Sequence, residues 1–296
     1  MGIMDRLQGR SGGSIQVFVE PQQAGPGAEM AVRFTVLDGL DDKARSVRAG
    51  VTCTGRYQVE ERDRDSNGNV TTREVWRDVE VYAHAQPVEL RTGEQVLTIF
   101  LPDHVQPTSG DIVSWEAWAR IDREQGLDVV EHAPFEVRVP LDRVPATRQG
   151  DATDDGLTLR GIPTAVAQGD TLTGTLVVEV PEELKVRSVA VRLHRRITFV
   201  AQAINDYDVY SGSLLASALF SDTSRITDDE QVAEVVLGGK ASYQPGQRHE
   251  LPFSIAVPPA GPTSSHAYAQ VDWRLEAVLD RRMWDDKSVE TPLIVV

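Results

Sequence analysis

Asp63-Arg64-Asp65-Ser66-Asn67-Gly68-Asn69-Val70-Thr71-Thr72-Arg73-Glu74 satisfies every position of the twelve-residue loop that holds a calcium ion. That chemistry requires oxygen ligands at positions one, three and five, a glycine at six for the sharp turn, a backbone carbonyl at seven and a two-oxygen carboxylate at twelve. Asp63, Asp65, Asn67 and Glu74 supply the side chains and Asn69 the carbonyl, so calcium is the one candidate cofactor. The flanks, Gly50 to Val59 and Val75 to Tyr82, read as strands, whereas this loop ordinarily joins two helices. Asn67-Gly68 between alternating segments is also the strongest short-range signal for a plain β-hairpin. Both readings stand, a calcium site and a hairpin turn.

Little else in the chain could carry a reaction. The six histidines, His84, His104, His132, His194, His249 and His266, show no short metal-ligand spacing. No Gly-x-Ser-x-Gly elbow occurs, and Gly238-Gly239-Lys240 lacks the spacing and the following hydroxyl of a phosphate-cradling loop. Cys53, in the alternating run Val51-Thr52-Cys53-Thr54, reads as a small buried hydrophobe. The acidic pairs Asp154-Asp155, Asp228-Asp229 and Asp285-Asp286 read as solvated loops. With no catalytic site to argue from, the expectation is a binding protein and not an enzyme.

Aromatic and apolar residues outside the regular pattern are the candidates for partner contact. Trp76 and Trp118 have no counterpart in the internal repeat described below, so the scaffold does not require them. Tyr207, Tyr210, Leu214, Leu215 and Phe220 lie in the longest irregular stretch, Ala201 to Gln231, where Ser213 to Phe220 suits two amphipathic helical turns.

The elements that position these residues are strands. Alternation with period two recurs in Ile15 to Val19, Met30 to Val36, Leu97 to Leu101, Phe135 to Val139, Leu172 to Val180, Ser188 to Phe199, Glu250 to Val257 and Val271 to Leu279. Turn signals such as Pro26-Gly27, Asp38-Gly39, Gly169-Asp170 and Pro245-Gly246 punctuate them. Many short strands with frequent turns predict an all-β chain of immunoglobulin-like sandwiches. Pro140 to Gly156, rich in Pro, Asp, Arg and Gly, has little apolar periodicity. The domains expected are a tail at 1–13, a sandwich at 14–142, a linker at 143–155 and a second sandwich at 156–296.

Composition narrows the partners. Forty-five acidic against thirty basic residues give a formal charge of -15, which repels phosphate backbones and anionic lipid surfaces. Nucleic acid is therefore not an expected partner. A single cysteine cannot form an internal disulfide, and the first twenty-five residues hold no continuous apolar stretch of the signal-peptide kind. No run is long enough to cross a bilayer as a helix, and the expected compartment is the cytoplasm.

The chain is written twice. Trp115, Ile121, Asp122, Arg123, Pro134 and Val137 repeat at one constant offset as Trp273, Leu279, Asp280, Arg281, Pro292 and Val295. Pro107-Thr108-Ser109 returns as Pro262-Thr263-Ser264, and Arg45-Ser46-Val47 returns as Arg187-Ser188-Val189. Two similar tandem domains follow. These landmarks, clearest in the second copy from Gly169-Asp170 and Gly174 through Phe253 to Pro258 and Trp273 to Asp280, resemble the arrestin fold. The first copy departs at its entry, where Gly25-Pro26-Gly27 precedes Arg33 and the second glycine is missing. Within that superfamily the acidic, stand-alone pair of domains is similar to the bacterial sporulation-control proteins.

The resemblance implies a non-enzymatic adaptor or scaffold that binds protein partners in developmental or sporulation control. It carries over no binding residue, because the charged cluster of animal arrestins has no position-by-position match here. Two further readings come from the residues: a homo-oligomeric structural subunit built through exposed sheet edges, and a calcium-modulated binding module resting on Asp63 to Glu74.

Overall fold

A computed structural model of the chain describes residues 14–38, 40, 42–64, 70–124, 127–144, 151–201, 224–281 and 285–296. Among them the elements are strands and one 3-10 turn, Leu141–Arg143. The first eight strands are β1 (Ser14–Glu20), β2 (Gln23–Ala24), β3 (Glu29–Asp38), β4 (Ala44–Arg64), β5 (Val70–Val88), β6 (Gly93–Phe100), β7 (Val113–Arg123) and β8 (Val129–Val137). Then come β9 (Ala152–Asp154), β10 (Leu157–Arg160), β11 (Ala165–Val166), β12 (Thr171–Glu179), β13 (Leu184–Val186) and β14 (Ser188–Ala201). The last are β15 (Ser224–Gly238), β16 (Ala241–Tyr243), β17 (Arg248–Ala256), β18 (Ser264–His266), β19 (Ala269–Asp280) and β20 (Lys287–Val295).

The chain divides into two compact units, Met1–Arg56 with Asp78–Val139, and Tyr57–Arg77 with Pro140–Val296. In the first, a sheet in the order β1-β3-β6 faces one in the order β2-β8-β7-β4-β5. Period-two alternation decides which side chains meet: Ile15, Val17 and Val19 of β1 are buried while Gln16, Phe18 and Glu20 are exposed. Met30, Val32, Phe34 and Val36 from β3 close over Trp115, Ala117, Ala119 and Ile121 from β7, all buried. Each such large apolar side chain contributes about 1.5–3 kcal/mol on leaving water.

In the second unit, a sheet in the order β17-β12-β10-β9 packs on one in the order β11-β20-β19-β14-β15, with β18 added to β19. Its interior is built from Leu157, Leu159, Leu172 and Leu176 on one side and Val189, Val191, Leu193, Leu275 and Leu279 on the other. The chain is thus two tandem β-sandwiches, each with its own core.

Several landmarks of the repeat make the same contacts in both units. Thr108 and Thr263 each pair with the last strand of their sandwich. Val137 N–H donates to Thr108 Oγ1 at 2.8 Å and Thr108 N–H to the Val137 carbonyl at 2.8 Å, while Val295 and Thr263 make the same pair at 2.9 and 2.8 Å. Ser46 donates to Asp122 at 2.6 Å and Ser188 to Asp280 at 3.5 Å, so the start of a long strand is tied to the Asp-Arg of its neighbour. Gly27 and Gly169, both at positive φ, turn the chain into β3 and β12.

Three readings of the sequence change. Ala152–Asp154, inside the stretch read as linker, is strand β9, paired to β10. Asp228 and Asp229, read as a solvated loop, lie in β15 opposite Ile197 and Arg196. The stretch Tyr57–Arg77 groups with the second unit although it lies within the first copy of the repeat.

Candidate functional site

The calcium pattern spans two strands, not two helices: β4 runs to Arg64 and β5 starts at Val70. Asp65, Asn67 and Asn69 lie outside the described residues, as does the side chain of Asp63. Glu74 stands exposed on β5. Among the described residues no group of three His, Cys, Asp or Glu side chains is arranged to hold a metal. Cys53 is fully buried, and burial pushes its thiol up to about 12, so it has no thiolate character at neutral pH.

Of the partner-binding candidates, Trp76 and Trp118 are described, and Tyr207, Tyr210, Leu214, Leu215 and Phe220 lie outside the described residues. Trp118, half-buried on the outer face of β7, donates its indole N–H to Thr52 Oγ1 at 2.9 Å. Trp76 on β5 remains 42% exposed and meets Phe199 edge-on, the ring centres 5.4 Å apart. The two repeated tryptophans are core residues: Trp115 donates to the Gln106 carbonyl at 2.9 Å, and the Trp273 indole N–H is buried with no hydrogen-bond partner among the described residues.

β5 ends the five-stranded sheet and is 19 residues long, with outward side chains on most of its length. Within Asp78–Val88, which belongs to the first unit, Val81 is exposed, while half-buried Tyr82 approaches Trp115 with ring centres 5.7 Å apart. Among the described residues no strand lies beyond β5, and Tyr82 ties this edge to the core tryptophan. Gly50 fixes how closely β5 lies to β4, since a Cβ there would stand 2.1 Å from the His84 carbonyl oxygen.

The second unit carries an ionic lattice that the sequence did not announce. His194 Nε2 lies 3.1 Å from Glu276 and Nδ1 3.5 Å from Asp229. Asp229 is also reached by Arg196 and Arg274 at 2.8 and 2.9 Å, and Arg274 lies 3.4 Å from Glu290. Burial pushes the Asp229 carboxyl up, but the Arg196 hydrogen bonds and the charges of Arg274, Arg196 and His194 outweigh it and hold it below the usual carboxylate value. Asp122 in the first unit follows the same logic: burial raises it, and hydrogen bonds from Ser46 and Arg48 with the charges of Arg120 and Arg48 bring it down. The signal available in the sequence was period-two charge in Arg192, His194 and Arg196, which places all three on one face of β14.

Two loop aspartates were also missed. Asp128 accepts from Arg123 N–H and Asp286 from Arg281 N–H, each at 2.8 Å. They stand at the same offset as the tryptophans, so the repeat could have been carried five residues past each Asp-Arg.

No family model matches the chain, and no curated protein does. Among solved structures it is similar to Spo0M, a sporulation control protein from Bacillus subtilis, at 20% sequence identity, with 49% of each chain covered and a TM-score of 0.35. The match spans about half the length of that protein.

Proposed function

We propose that the chain is a non-enzymatic cytoplasmic adaptor of arrestin type, which holds protein partners on the open strands of its sandwiches. The observation that supports this most is the β5 edge. A long terminal strand leaves a row of backbone N–H and C=O groups for an incoming strand, and the exposed side chain of Val81 beside it gives that strand an apolar contact. Main-chain pairing supplies affinity there and the outward side chains supply selectivity. Assignment to developmental or sporulation control is the finer part of the proposal and comes from the sequence resemblance.

The test is affinity capture from native lysate with the full chain, followed by cross-link mapping. Partner cross-links concentrated on residues 78–88 and lost in Val81→Glu, with the thermal midpoint unchanged, are the expected result. Capture that is indifferent to Val81→Glu and maps elsewhere overturns the reading.

A further inference from the structure

Sheet edges are hazards that folded proteins guard with charge, proline or brevity. Most edges among the described residues carry such a guard. β2, β9, β11, β13 and β16 are two or three residues long. β5 is charged from Arg73 to Glu80 and carries Pro87, which confines its open stretch to Val81–Gln86, β15 carries Asp228, Asp229, Glu230 and Glu234, and β17 carries Arg248, Glu250 and Pro252. β1 is uncharged before Glu20, but it packs against β8, and the chain leaves it through Pro21 into β2 of the facing sheet.

β6 is guarded only at its start, by Glu94. Among the described residues it pairs with β3 alone. From Gln95 to Leu101 the sequence is Gln-Val-Leu-Thr-Ile-Phe-Leu, free of charge and proline and rich in strand formers, a composition that favours pairing with its own kind. Leu101 N–H donates to the Ala28 carbonyl, which sets the alternation of the ladder. Leu97 and Ile99 therefore turn their backbone groups toward β3, and Val96, Thr98 and Phe100 turn theirs toward the open side. The side chains of those same three residues stand on the outer face, where Val96 is 51% and Phe100 66% exposed.

We infer that β6 is a self-association edge whose partner is β6 of a second copy of this chain, antiparallel across a two-fold axis with Thr98 opposite Thr98. The register with Thr98 on the axis suits both the hydrogen bonds and the side chains. With Thr98 on the axis, Val96 of each copy faces Phe100 of the other, giving two aromatic–β-branched cross-strand pairs. Glu94, already bonded to Arg33 at 3.4 Å, falls opposite the uncharged Pro102, so no like charges meet. Shifting the axis two residues to Val96 would set Glu94 against Thr98 and leave Phe100 unmatched. About six backbone hydrogen bonds form, and two three-stranded sheets become one of six strands. A formal charge of -15 on each copy opposes approach, so the dimer strengthens as salt screens it. This inference does not depend on the adaptor reading, which uses β5, and the two fail separately.

Sedimentation of the full chain from about 1 to 100 µM, at low and high salt, is the first arm. A monomer–dimer equilibrium that tightens with salt is expected, and a monomer throughout overturns the inference. In the second arm, Thr98→Lys sets two ammonium groups opposite each other on an exposed surface and weakens the dimer by roughly tenfold or more, with an unchanged circular dichroism melt. In the third, Thr98→Cys cross-links under mild oxidation, because directly opposed residues lie within disulfide reach, while Gln16→Cys on the outer face of β1 does not. A dimer indifferent to Thr98→Lys, or one in which both cysteine variants cross-link equally, also overturns it.

Discussion

Thr108 and Thr263 show how one hydroxyl can close a sandwich. Each side chain accepts from the backbone N–H of the last strand while its own N–H donates back, so a loop outside the sheet is stitched to β8 or β20. Valine in place of either threonine keeps the shape and leaves a part-buried N–H without its acceptor. Thr108→Val and Thr263→Val should each cost about 1–3 kcal/mol, and serine about half as much or less, in urea unfolding. Asp229 makes the electrostatic counterpart. Its folded-state value lies below its unfolded one, so its contribution is complete above the ordinary carboxylate range and lost as pH falls through the depressed value. Asp229→Asn leaves Arg196, Arg274 and His194 facing one another, and it should lower stability by about 1–2 kcal/mol at pH 7. The difference from wild type should shrink toward zero on acidification below pH ~4, as the pH dependence of the urea midpoint will report. A constant difference down to pH ~3 would show that the loss is one of packing.

At the scale of elements, two glycines decide how closely strands approach. A Cβ at Gly174 would stand 2.3 Å from Ile162 Cδ1 and 2.7 Å from Phe253 Cζ, whereas at Gly50 the obstacle is the His84 backbone. Gly174→Ala should cost about 2 kcal/mol and be partly rescued by Ile162→Val, which deletes the clashing methyl. Gly50→Ala should cost about 3 kcal/mol or more, with no such rescue, because a carbonyl in a ladder cannot step aside. The sequence made the strands legible because alternation is a property of neighbours in the chain, and it made the doubling legible because Trp, Asp-Arg and Pro-Thr-Ser keep their spacing. It could not show that Gly50 answers to His84, or that Asp229 in β15 gathers cations from β14 and β19, since those distances come from strand pairing. The calcium pattern is the reverse case, a local signal whose flanks the structure shows to be strands. Calorimetric titration of the full chain with calcium separates the two readings: saturable heat that is lost in Glu74→Gln supports the metal site, and no heat supports the plain hairpin.

At the scale of the molecule, a duplicated scaffold gives each half an interior of its own. β3, β6 and β7 fill the first with Phe34, Ile99 and Trp115, and β12, β14 and β19 fill the second with Leu172, Leu193 and Trp273. One stretch follows a different division: Tyr57–Arg77, in the first half of the sequence, belongs by its contacts to the second unit, where Tyr57 stacks on Tyr268 with ring centres 4.7 Å apart and Trp76 meets Phe199. A chain ending at Val139 retains all the buried residues of the first core and should unfold cooperatively in urea. In that shorter chain Trp76 has lost Phe199, so Trp76→Ala should change stability by less than about 0.5 kcal/mol. In the full chain the same substitution removes an edge-on aromatic pair and should cost about 1–2 kcal/mol, seen in the transition of the second unit. Equal effects in the two chains would show that the stretch draws its stability from β4 and β5 alone. A large effect confined to the full chain would show that the second sandwich has recruited part of the first copy's hairpin.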